Sequence, residues 1–148
     1  MSEVNTVKGI IDSKDMGFTL MHEHLANSSA GLPQVFPELM DSSLARDAGI
    51  RALEDAYSEG IRSYVDVTTM DLGRDMPLIR SIAENSKVNV ILATGLWLDI
   101  PRAIINGVAV DQLAESFIKE IEIGIEGTSI KAGIIKVATS EEGVTVGN

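Results

Sequence analysis

Two kinds of apolar pattern alternate along this chain. Short, nearly unbroken apolar runs occupy residues 18–24, 63–68, 88–93 and 132–138, and the second is rich in β-branched side chains. Between them, apolar residues recur at helical spacing: Ile50, Leu53 and Tyr57; Leu78, Ile79 and Ile82; Leu113, Phe117, Ile121 and Ile125. Punctuation supports the same division. Ser42 or Ser43 is placed to cap a helix over 43–58 that stops before Gly60, Pro77 suits a helix start, and Asp111 is placed to cap the third helix. Residues 7–12 read as a short strand or ribbon closed by the polar turn Ser13, Lys14, Asp15. Two long loops follow the first and third strands, one from Ala26 to about Met40 and one through Pro101 and Gly107.

The predicted order is β-α-β-α-β-α-β. Continuous apolar strands alternating with amphipathic helices imply a parallel sheet covered by helices. Either an open doubly wound sheet or a barrel of βα units satisfies that order. No strand is followed by Gly-x-Gly-x-x-Gly and no phosphate-cradling Gly-x-x-x-x-Gly-Lys occurs, which weakens the nucleotide-binding version.

Composition narrows the partners. The 148 residues carry 12 Lys+Arg against 22 Asp+Glu, a net charge of -10 that repels phosphate backbones and anionic membranes. Neither nucleic acid nor a membrane is an expected partner. No apolar run approaches the roughly 20 residues of a bilayer span, and the first residues lack a leader-like pattern, so a cytoplasmic location is the default expectation. With no cysteine, any metal must be held by histidine, carboxylate or something less usual.

The two histidines of the chain, His22 and His24, stand one residue apart at the end of the first strand. Alternation along a strand puts both on one face and Glu23 on the other, so both imidazoles can reach one ion. As a bland alternative, they are surface or satisfied core residues. Lys136 lies inside the fourth apolar run, where an isolated ammonium is costly. Either it snorkels past the strand end to solvent, or it faces the same cavity as the histidines and is held neutral or modified. Asp66 is set among β-branched neighbours, as a partner of a metal-binding histidine or of a basic residue. Trp97, the one tryptophan, follows the third strand and is either a core plug or a surface on which substrate stacks.

Four blocks taken in order, Phe18-Thr19-Leu20-Met21-His22-Glu23-His24, Val65-Asp66-Val67-Thr68-Thr69 with Gly73-Arg74-Asp75, Ala93-Thr94-Gly95-Leu96-Trp97, and Gly133-Ile134-Ile135-Lys136-Val137-Ala138-Thr139, resemble the phosphotriesterase family of the amidohydrolase superfamily. The resemblance implies an α/β fold, the (β/α)8 TIM barrel, with two divalent metals, usually zinc, at the carboxyl ends of its strands. It implies that His22 and His24 ligate the more buried metal and that Lys136 reacts with carbon dioxide to form a carbamate bridging both. Carbamylation turns a costly buried cation into an anion that two cations neutralise, and burial favours the free amine it requires. Trp97 matches a wall of the leaving-group pocket and Leu72 a position lining the substrate cavity. The implied chemistry is hydrolysis of a small-molecule organophosphate, lactone or related ester by a metal-bridging hydroxide. The Leu96-Trp97 pair looks more like the phosphotriesterase branch than the lactonase branch, where tyrosine is common.

The same resemblance leaves ligands missing. Two histidines on later strands and a late aspartate have no counterpart here, and the chain carries four of eight expected strands. The chain is therefore expected to be the N-terminal half of one metal-dependent hydrolase barrel, inactive alone. The competing expectation is a non-catalytic half-barrel that pairs with a second copy or another chain across its open edge.

Overall fold

The computed structural model describes residues 2–97, 109–139 and 143–144. The chain opens with an antiparallel hairpin, β1 (Glu3–Thr6) and β2 (Gly9–Asp12), where the sequence suggests a single ribbon over 7–12. It continues through β3 (Phe18–Glu23), the one-turn α1 (Leu32–Val35), α2 (Ser42–Ser58), β4 (Ile61–Asp66), α3 (Met76–Glu84), β5 (Asn89–Gly95), α4 (Val110–Glu122) and β6 (Ile134–Lys136). The expected loop through Pro101 and Gly107 lies outside the described residues. No described helix is long and apolar enough to cross a membrane.

The strands β3, β4, β5 and β6 form one parallel sheet in sequence order. A doubly wound sheet reverses its strand order at a switch point, and this one does not; sequential order is how a barrel is built. The sheet separates two cores. On one face, Val88, Val90 and Leu92 pack with Leu53 of α2, with Ile79, Ile82 and Ala83 of α3, and with Ile125 and Ile130 beyond α4. On the other, Val65, Val67, Ile91 and Ala93 form a smaller inner cluster that Val4 of the hairpin and Ile134 of β6 close. Burial on both faces is why β4 and β5 read as unbroken apolar runs.

The helix starts differ from expectation by a residue or two. Asp41 caps α2, its carboxylate accepting from the Leu44 N–H at 2.9 Å, while Ser43 Oγ donates to that same carboxylate. Ala109 precedes α4, and the Gln112 carboxamide reaches back to the Ala109 N–H at 2.9 Å. That leaves Asp111 in the first turn, where its charge complements the helix dipole. Asp75 caps α3 through the Leu78 N–H. Ile125, expected on α4, sits instead in the turn beyond it and is fully buried.

Arg74 staples the helical layer to the sheet. Its side chain is 1 % exposed, and it donates to the carbonyl of Ala93 in β5, to Glu120 of α4 and to Glu126. Glu126 holds a left-handed backbone at φ 50, uncommon for a residue with a β-carbon.

Candidate functional site

The carboxyl ends of the four parallel strands lie on one side of the sheet, as parallel pairing requires. At that end β3 departs from regular register: Leu20 pairs with Tyr64 and Glu23 with Asp66, so three steps on β3 match two on β4. Irregularities of this kind re-aim side chains beside functional sites. The rings of His22 and His24 lie edge to face with centroids 5.8 Å apart.

Lys136 ends β6, opposite Gly95 of β5, and shares the inner face with Ile134. Its Nζ lies 3.3 Å from His22 Nε2. The three residues singled out from the sequence as metal-binding are thus brought together from the two outer strands of the sheet. Lys136 is half-buried, and its neighbours Ile135 and Val137 are 55 % and 79 % exposed on the opposite face. Gly95 is needed where β5 meets this residue: its φ is 111, and a β-carbon there would collide with the Lys136 carbonyl oxygen.

His24 Nδ1 lies 2.8 Å from Thr68 Oγ1. With Nδ1–H donating to that hydroxyl, Nε2 keeps its lone pair for a metal, the usual arrangement for a ligating imidazole. Thr68, not singled out from sequence, is therefore the partner expected of Asp66. Asp66 is 1 % exposed and sits behind that pair: Oδ1 accepts from the Thr68 N–H at 2.8 Å and Oδ2 from the Leu25 N–H at 3.1 Å, and the Thr68 side chain bonds it as well. It fixes the strand ends that carry both members of the His24–Thr68 pair.

Burial pushes the His24 imidazole below its ordinary value; the Asp66 carboxylate opposes that shift, and positive charge on His22 and Lys136 adds to it. Burial likewise raises the Asp66 carboxyl against the pull of its hydrogen bonds. Tyr64, beside Asp66, is held well above the usual phenol range by burial and by the neighbouring carboxylates.

Leu72 lies in the turn after β4 and is half-buried. Trp97 follows β5 and is 45 % exposed, so it is no core plug. Among the described residues no cluster of three His, Asp or Glu side chains is placed to hold a metal. The donors that do converge are two imidazoles and one amine. As a carbamate the amine would supply the third ligand and the negative charge, and three protein ligands with an open position suit one catalytic divalent ion. A second ion needs further donors.

Comparison with known proteins bears on this arrangement. The phosphotriesterase family model matches residues 2–148. A phosphotriesterase homology protein of Mycobacterium tuberculosis (strain ATCC 25618 / H37Rv) is 38 % identical over 99 % of this chain and 48 % of its own length. An aryldialkylphosphatase of Saccharolobus solfataricus is 36 % identical over 93 % of the chain and 44 % of its own. An N-acetyltaurine hydrolase of Mus musculus is 28 % identical over 90 % of the chain and 46 % of its own. The chain spans about half the length of the curated relatives it matches, and its four parallel strands are the N-terminal half of a TIM barrel.

Proposed function

The chain belongs to the phosphotriesterase family, and from that membership we propose that it supplies the N-terminal part of a metal-dependent hydrolase of phosphotriesters or related esters. The observation that carries this reading is the meeting of His22, His24 and Lys136 at one end of the sheet, with Lys136 Nζ 3.3 Å from His22 Nε2. His22 and His24 would hold a divalent ion, zinc by the resemblance, and Lys136 as its carbamate would supply the third, anionic ligand. An ion held there would supply Lewis-acid chemistry, lowering the pKa of a bound water and polarising the phosphoryl or carbonyl oxygen.

The chain's own residues do the rest. Thr68 orients the His24 ring, Asp66 fixes the backbone beneath it, and Trp97 and Leu72 wall the side from which the leaving group departs. Aryl dialkyl phosphates are the favoured substrate class because the relative from Saccharolobus solfataricus is an aryldialkylphosphatase; lactones are the alternative within the family.

The test is hydrolysis of an aryl dialkyl phosphate and of an acyl lactone by the complete barrel of which this chain is part, zinc-replete and after chelation. Turnover that is lost on chelation and restored by zinc supports the reading, and turnover indifferent to chelation overturns it. A second reading rests on exposed Ile135 of β6 and Val137 just beyond it, together with the edges of β3 and β6, which pair with no further strand among the described residues. There the chain pairs with further βα units, including those of a second copy, and its contribution is structural. Sedimentation of the purified protein with and without zinc separates the two.

A further inference from the structure

The loops leaving the four strands are joined sideways. From the loop after β3, the Ser28 N–H donates to the Leu72 carbonyl at 2.9 Å, and Ser28 Oγ to the Gly73 carbonyl at 3.3 Å. From the residue after β5, the Leu96 N–H donates to the Lys136 carbonyl of β6 at 3.3 Å. These links accept at main-chain carbonyls, so a change of side chain at the accepting residue leaves them in place. Between the turn after β4 and the residue that leaves β5, Asp71 makes the link with its side chain. Asp71 Oδ2 accepts from the Trp97 N–H at 2.9 Å, and Oδ1 accepts from the hydroxyl of buried Thr69.

Trp97 is thus held by its backbone while its indole stays open to solvent. Its neighbour Leu96 is anchored to the lysine strand on one side, and Asp71 draws Trp97 toward the turn that carries Leu72 on the other. We infer that Asp71 is a positioning residue that sets the distance between Trp97 and the Leu72 turn, and so the width of the leaving-group side of the cavity. This role in specificity rests on the hydrolase reading; the clamp on Trp97 does not.

The geometry also says which replacement should succeed. An asparagine at position 71 can accept from the Trp97 N–H through its carbonyl and donate through its amide to Thr69 Oγ, which can accept as well as donate. Alanine can do neither. Asp71→Asn should therefore behave as wild type and Asp71→Ala should not.

Trp97 is the one tryptophan of the sequence, so its fluorescence reports the clamp without any substrate. In purified Asp71→Ala protein with unchanged zinc content and circular dichroism, acrylamide should quench Trp97 more strongly and its anisotropy should fall, with both restored in Asp71→Asn. The preference for an aryl over a small alkyl leaving group, measured as a ratio of kcat/KM, should fall by about fivefold, the worth of one net hydrogen bond. Equal quenching and anisotropy in wild type and Asp71→Ala, or an Asp71→Asn variant as loose as Asp71→Ala, overturns the clamp. A loosened Trp97 with an unchanged preference overturns the specificity role alone. If the complete barrel containing this chain hydrolyses neither ester, the hydrolase reading fails and takes the specificity role with it, while the fluorescence still decides the clamp.

Discussion

Lys136 Nζ stands 3.3 Å from His22 Nε2 although β6 and β3 are the two outer strands of the sheet. Neighbouring strands lie about 4.8 Å apart, so three steps would separate the two backbones by roughly 14 Å on a flat sheet, with side chains standing upright. A contact across that span requires the sheet to curl toward its inner face. The contact is thus evidence for barrel-like curvature as well as for a site, and the two claims stand or fall together.

The first prediction concerns that contact. Replacing Lys136 with Ala removes the amine that would be carbamylated, and zinc affinity should fall by more than the roughly 10–100-fold typical of losing a residue behind a ligand. Metal analysis after dialysis at fixed free zinc measures it. Unchanged stoichiometry and turnover would remove Lys136 from the site.

Thr68→Val keeps the shape of the side chain but leaves His24 Nδ1 without its hydroxyl partner. Zinc affinity should drop by about 10–100-fold. The thermal midpoint of the metal-free protein should move little, which distinguishes a lost orienting contact from a damaged core.

His24 also makes the metal-free fold sensitive to mild acid. Its imidazole titrates lower when folded than when unfolded, because burial disfavours the charged form. Below about pH 6.5 the unfolded chain takes up a proton that the folded chain refuses, so this part of the stability is present above that pH and is lost as pH falls toward the lower folded value. Urea midpoints of wild type and His24→Gln across pH 5 to 8 should show a slope in the first that is reduced in the second.

Asp66 works in the opposite sense. Its folded carboxyl titrates higher than the unfolded one, so raising the pH through that interval costs stability. Asparagine cannot simply relieve that cost, because both carboxylate oxygens accept from N–H groups and the amide end of asparagine would face a donor. Asp66→Asn should destabilise by about 1–3 kcal/mol, the cost of a buried group left unpaired. A variant as stable as wild type would show that the Leu25 and Thr68 amides find other partners.

Arg74 is the most buried charge that bridges helix and strand. Arg74→Ala would leave Glu120, whose side chain is 13 % exposed, without its guanidinium partner and should cost about 2–4 kcal/mol. Arg74→Lys should recover only part of that loss, since an ammonium cannot bond Ala93, Glu120 and Glu126 from one planar fork. Denaturant unfolding of the three proteins gives the ranking.

The alternation of elements is legible in the sequence because each strand or helix has its own local period, and β3 to β6 follow it. Helix starts are less so. Asp41, Ser42 and Ser43 are all competent caps in a row, and only the fold selects Asp41. At α4, Gln112 outcompetes a carboxylate cap by bonding backward to Ala109. In the site, the spacing of His22 and His24 and the apolar setting of Lys136 are local signals, and the fold brings the three side chains together. The partners of those residues carry no such signal. Thr68 lies 44 positions from His24 and Asp71 lies 26 from Trp97, distances at which no period relates two residues. Asp66, conspicuous among its β-branched neighbours, marks that strand end, and it reaches His24 through Thr68 rather than directly.

The hairpin at the start of the chain carries a further consequence, one of timing. Asn5 Nδ2 donates to the carbonyl of Ala132, 127 positions later, and the Val7 N–H donates to the carbonyl of Val90. As a ribosome delivers the chain, the hairpin emerges before β5 and the approach to β6 and waits for them before these bonds can form. Closing such distant contacts is slow. The hairpin is therefore made before those strands yet fixed after them, and the floor of the inner cluster is sealed only once the strands above it have been assembled.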